Sequence, residues 1–222
     1  MKVELIPVIE IFNSNENIKS PDLGPFWEYE NEWENYNHLC NIAAGFSEFL
    51  KPYLKGSSLY AIEEISDIDL LQTINKEIEM QQTEENNGIE DLVSSFNGGY
   101  VLKIDDKSVY FPQCCSSLAD IRAWENLLIG ITKSFYAGHP YPRITENLNK
   151  IRFDFIDIQV RENFAPPISL SYIEIEKSKL EFAIIEANKL LQIFADRLKK
   201  INHMKKLNIK NIDRILIFGE TE

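Results

Sequence analysis

A chain of 222 residues, 44% hydrophobic and 26% charged, has the composition of an ordinary globular protein and is long enough to bury a core. Its formal net charge of −12 disfavours non-specific nucleic-acid binding, because phosphates are repelled by an acidic surface. No apolar run reaches the roughly 18 residues of a membrane span, and three cysteines, an odd number, fit a reducing compartment better than a disulfide framework.

At the start, Met1 to Ile6 meets Pro7 and Glu10 too early to leave the apolar segment of a signal peptide, so a cytoplasmic location is expected. Lys2 to Phe12, rich in Val, Ile and Leu, reads as a strand, with Pro7 hinting at an edge or a bulge. Ser20 to Pro25 is a loop by its turn residues, and a helix is expected from about Glu28 to Ala44. Ser57 to Ile65 fits a second strand. Over 66–82 the spacing predicts a helix capped by Ser66, with Ile68, Leu71, Ile74 and Ile78 on its apolar face. Gln81 to Gly88 reads as a mobile loop.

Gly99–Ile104 and Ser108–Phe111 flank a polar turn and predict a β-hairpin, which Pro112 ends. Ser117, with Asp120 three residues on, marks the start of a helix carrying Leu118, Ile121, Trp124, Leu128, Ile131 and Phe135 on one face. A half-buried strand is expected at Ile151 to Val160, followed by a break at Pro166-Pro167. Last comes a long helix, Tyr172 to Met204, read as starting on a capping box of Ser171 and Glu174. Its residues Leu180, Ile184, Ala187, Leu191, Phe194, Leu198 and Ile201 recur in steps of four and three. That pattern also fits a homodimer seam, but Ile173, Ala183 and Leu190 widen the stripe, which favours packing on the protein's own sheet. The sum is a single α+β domain over 1–222, a mixed or antiparallel sheet packed with three to four helices.

Charge is divided unevenly. Residues 1–110 hold 7 Lys and Arg against 21 Asp and Glu, a net −14, whereas 197–214 is locally +6. The basic run most simply balances the protein's own acidic surface. The acidic half suits a basic protein partner, which its field would steer. Within it, Trp27, Glu28, Tyr29, Glu30, Glu32, Trp33, Glu34 and Tyr36 mix aromatics with carboxylates, a composition suited to an interface. The plainer alternative puts the tryptophans in the core and the glutamates at a helix start, where they favour the dipole.

Chemistry has few candidates. Cys114 and Cys115 precede a helix start, and His139 lies on the stiff segment Gly138-His139-Pro140-Tyr141-Pro142, so a cysteine nucleophile with an imidazole partner is one alternative. Cysteines near element ends more often serve packing. A zinc site from Cys40, Cys114, Cys115 and His38 or His139 is weighed lower, since adjacent cysteines are not expected to point at one tetrahedral ion. No phosphate-binding, dinucleotide-binding, zinc-protease or serine-hydrolase motif occurs, and no cofactor, metal or catalytic residue is assigned.

The block from Gly98-Gly99-Tyr100-Val101-Leu102 through Phe111-Pro112-Gln113-Cys114-Cys115 to Ile121-Arg122-Ala123-Trp124-Glu125 resembles bacterial immunity-type proteins of toxin–immunity systems, over roughly residues 98–143. The resemblance implies a cytosolic, non-enzymatic binder that plugs or clamps a toxin domain; it is the charge and the lack of a long apolar run that argue for no nucleic acid and no membrane as partner. It carries no residue over as functional. A dimeric adaptor is the remaining alternative.

Overall fold

The computed structural model describes residues 1–85, 94–132, 135–156 and 162–220. In chain order its elements are β1 (Val3–Glu10), α1 (Glu30–Ala43), β2 (Leu59–Ala61), α2 (Asp67–Glu85), β3 (Gly98–Ile104), β4 (Lys107–Tyr110), α3 (Ile121–Leu128), β5 (Arg143–Asn147), β6 (Lys150–Asp154), β7 (Tyr172–Glu176), α4 (Lys177–Lys205) and α5 (Ile212–Phe218). The strands form two antiparallel sheets, ordered β2-β1-β3-β4 and β5-β6-β7, and the fold is α+β. No helix among the described residues is long and apolar enough to cross a membrane. The chain divides into two compact units, Met1–Pro7 with Ser95–Ile193 and Val8–Ser94 with Phe194–Glu222.

In the first unit, the expected hairpin is β3 and β4, closed by Asp105 and Asp106 at φ 45 and 66. Positive φ at both central residues is what a tight hairpin turn needs, and Asp tolerates it better than most side chains. A single 3₁₀ turn, Leu118–Asp120, then leads into α3, with the Ser117 N–H donating to Asp120 Oδ2 at 2.8 Å. The helix was expected to reach Phe135 but stops at Leu128. Gly130 at φ 81 follows, a backbone state that suits glycine and breaks the helix. Trp124 is buried against Phe135, Phe153 and Tyr110, at ring separations of 5.2, 5.7 and 6.3 Å. The strand expected over Ile151 to Val160 is β6 at its start, but it ends at Asp154, with a bend at Phe155 and Ile156, and 157–160 lie outside the described residues.

The segment Tyr172–Glu176 corrects the sequence reading. It is strand β7 and not the first turns of the long helix. Ile173 and Ile175 point inward between exposed Tyr172, Glu174 and Glu176, a period of two, and Glu174 stands opposite Arg152 of β6. The proposed capping box is therefore a coincidence of spacing, and α4 begins at Lys177. All seven residues of the four-and-three stripe, Leu180 to Ile201, are buried in the chain's own core, so they do not form an exposed seam.

In the second unit, Val8–Glu10 of β1 pairs with β2, which is much shorter than the strand expected from Ser57 to Ile65. The α2 N-terminus is capped as anticipated: the Asp69 N–H donates to Ser66 Oγ at 3.1 Å. Its buried face is Asp69, Leu70, Thr73 and Ile74, while Ile68, counted as apolar face, is 71% exposed. Gln81 to Glu85, expected in a loop, continue α2; the rest of that loop to Gly88 lies outside the described residues. Part of the basic run is matched locally. Arg197 Nε donates to Asp67 Oδ1 at 3.0 Å, Lys199 lies 3.2 Å from Asp213, and Arg214 lies 2.7 Å from Glu220.

Candidate functional site

Two surfaces merit attention, one in each unit. The first is α1. Its buried stripe is Tyr36, Asn37, Cys40 and Asn41, which fixes the opposite stripe, Asn31, Glu32, Asn35, His38, Leu39 and Ile42, toward solvent. Of the residues singled out in the sequence, Glu28, Glu30 and Glu32 are exposed and Trp27, Tyr29 and Trp33 are half-buried. The other two have structural duties: Tyr36 is buried, and Glu34 accepts the Gly56 N–H at 2.7 Å. Trp33 donates its indole N–H to Gly24 O at 2.8 Å, which ties the preceding loop to the helix. Sequence reasoning missed Leu39 and Ile42, which are 43% and 42% exposed on the outward stripe. Beside the helix is a cleft of about 340 Å³ whose lining includes Glu34, His38, Glu48, Lys51 and Tyr60.

The second surface is a corner of the first unit. After β4, residues Gln113 to Ser116 make a tight turn, with the Ser116 N–H donating to Gln113 O at 3.1 Å. Cys114 and Cys115 are its central residues, and Cys115 has φ 65. A left-handed backbone at that position normally selects glycine, and a side chain there costs on the order of 1–2 kcal/mol. Both thiols are exposed, so the packing role proposed for them is not the one they have. Their sulfurs lie 3.4 Å apart.

His139 reaches this turn through backbone geometry. Its N–H donates to Cys114 O at 2.9 Å, an isolated antiparallel bridge. Such close approach requires Gly138: at φ 80, a Cβ there would stand 2.2 Å from Ser116 Oγ and 2.7 Å from Cys114 O. Ser116 Oγ is itself buried, accepting from the Gln113 N–H and lying 2.8 Å from both the Gln113 and Ala137 carbonyls. The result puts His139 Nε2 at 3.7 Å from Cys115 Sγ.

Glu162 completes the group, with Oε2 2.7 Å from His139 Nδ1. Its segment is held by Phe164, packed on Tyr110 and Phe155, and by Gln113. The Gln113 side chain accepts the Ala165 N–H at 3.0 Å and donates to Ala165 O at 3.2 Å, as a strand neighbour would. Nothing local in the sequence singles out Glu162. It lies 23 residues from His139 and is one of 35 acidic residues.

The electrostatics agree with the geometry. Contact with Cys114 first, then His139, holds the Cys115 thiol below its usual pKa. The Glu162 carboxylate first, then Cys115, holds the His139 imidazole above its own. A sulfur, an imidazole and an orienting carboxylate in sequence can generate a thiolate. Equally, Cys114, Cys115 and His139 offer three donor atoms all within 4.8 Å of one another. The expectation that adjacent cysteines cannot face one point fails here, because the turn with its left-handed Cys115 brings both sulfurs to one side. Cys40, by contrast, is buried in the other unit, as part of the α1 stripe, and joins neither arrangement. No protein-family model matches the chain, and no curated protein or solved structure matches it either.

Proposed function

We propose that this protein is a protein-binding module whose outward α1 face docks a basic partner, in the manner of an immunity protein that neutralises a toxin domain. The observation that carries the reading is one stripe on which exposed Glu32 gives way to exposed Leu39 and Ile42. Carboxylates at one end with aliphatic side chains at the other supply the two parts of an interface, long-range steering and contacts that resist dissociation. Glu28 and Glu30 extend the acidic end, and the net −14 of residues 1–110 gives the field its sign. The resemblance over residues 98–143 points to the same class.

The test takes the toxin domain, basic in charge, that a gene neighbouring this one is expected to encode, and the lack of such a neighbour counts against the reading. Co-expression should restore growth of cells poisoned by that domain. In purified form, Glu28→Lys/Glu30→Lys/Glu32→Lys should slow association by about ten-fold or more at low salt and flatten its salt dependence. Leu39→Ala/Ile42→Ala should instead speed dissociation. Association that is insensitive to salt in both proteins, or an adjacent toxin that this chain does not neutralise, rules the reading out.

A further inference from the structure

Of the remaining features, the Cys114–His139 corner carries an inference independent of the α1 face. Three observations converge there. Two exposed sulfurs and an imidazole nitrogen share one point of approach, with Cys115 Sγ 3.4 Å from Cys114 Sγ and 3.7 Å from His139 Nε2. The nitrogen turned away from the sulfurs, Nδ1, is engaged by Glu162 at 2.7 Å. The backbone is committed to this arrangement at a strained residue, Cys115, and at Gly138, where no side chain fits.

We propose that Cys114, Cys115 and His139 form a site for a thiophilic divalent cation, Zn²⁺, bound through both sulfurs and Nε2, with Glu162 as the positioning residue behind the imidazole. Zinc binds thiolate at about 2.3 Å and imidazole at about 2.0–2.1 Å in tetrahedral sites. Those lengths set sulfurs about 3.8 Å apart and sulfur from nitrogen about 3.6 Å apart. The two Cys115 separations of 3.4 and 3.7 Å need only a few tenths of an ångström of adjustment, while the third pair, Cys114 Sγ and the imidazole nitrogen, lies within 4.8 Å and closes by up to about 1.2 Å when the ion binds. A ligating histidine commonly passes its other ring nitrogen to a carboxylate, which fixes the tautomer and raises the basicity of the donor atom. Glu162 does this here. Soft thiolates select zinc over the hard cations that oxygen ligands hold. With three protein donors on an exposed corner, the fourth position faces solvent, open to water or to a donor atom from a bound molecule.

The experiment titrates the reduced full chain with Co²⁺ and then displaces it with Zn²⁺. One equivalent of Co²⁺ should give a thiolate-to-cobalt charge-transfer band, which Zn²⁺ removes. Cys115→Ser should abolish the band, and Cys40→Ser should leave it intact. Glu162→Gln should keep the band but weaken affinity by about 10–100-fold, the range found for partners behind a metal ligand. A measurement on the wild type alone supports these: Zn²⁺ should protect Cys114 and Cys115, mapped by mass spectrometry, from alkylation. Absence of the cobalt band, its survival in Cys115→Ser, or alkylation of Cys115 that saturating Zn²⁺ does not slow would each overturn the proposal. The last result would mark the corner as a free nucleophilic thiolate instead.

Discussion

The outward face of α1 and the Cys114–His139 corner expose chemistry by opposite means. On α1 the helix does the placing: burial of Tyr36, Asn37, Cys40 and Asn41 dictates which residues face out. At the corner, no regular element carries the groups. Each is held by an irregular contact, from the Cys114–His139 bridge to the Gln113–Ala165 pair. The first kind of surface changes its side chains freely; the second depends on every member of its support.

The sharpest way to break this comparison is at Gly138. Gly138→Ala must open the contact with Ser116 and place a side chain at φ 80, so it should destabilise the protein by at least about 3 kcal/mol, read from urea unfolding. A loss below about 1 kcal/mol would show that the corner yields easily and is not rigidly supported.

A second measurement concerns Asp120, whose carboxylate sits beneath the same helix start and is pushed up to about 6 by burial. The folded state therefore binds this proton more tightly than the unfolded chain. Its contribution is most favourable below about pH 4 and is lost as pH rises through about 6. Asp120→Asn should remove that fall, on the order of 1–2 kcal/mol after allowance for partial exposure, when the pH dependence of stability is compared with the wild type. Parallel curves for the two proteins would contradict the assignment.

Smaller still is the expected effect at Cys115. Cys115→Gly removes the thiol yet relieves the left-handed side chain, so stability should hold or rise by up to about 1 kcal/mol. A residue whose replacement by glycine is harmless to the fold, at an exposed position, is there for its sulfur. A destabilisation of more than about 1 kcal/mol would say that the sulfur serves the fold. On α1, Glu28→Lys/Glu30→Lys/Glu32→Lys should move the unfolding midpoint least, within about 0.5 kcal/mol. A larger loss would mean these glutamates hold the helix start and are not free to serve a partner.

The contrast also explains what could be read from the sequence. Helix α1, the hairpin at Asp105-Asp106 and the Ser66 cap were legible because each is specified within a few residues. Strand β7 was not: Ile173 and Ile175 alternate over only five residues, and Ser171 with Glu174 imitates a helix start. The stop at Leu128 was missed because the apolar spacing continues to Phe135, while Gly130 ends the helix by backbone freedom alone. At the corner, Cys114, Cys115 and His139 were visible as reactive types, but their meeting depends on a bridge between residues far apart in sequence. Glu162 had no local mark at all.

Gln113 gives that corner an unusual kind of adjustability. Its buried amide imitates a peptide group, so the segment carrying Glu162 is fastened to the turn carrying the cysteines by one side chain and not by a strand. Cys114 and His139 are joined through the main chain, whereas the carboxylate is held to them through side chains, the Gln113 amide and the packing of Phe164. The pKa of His139, which the Glu162 carboxylate raises, is thereby tied to residues that lie away from the imidazole itself.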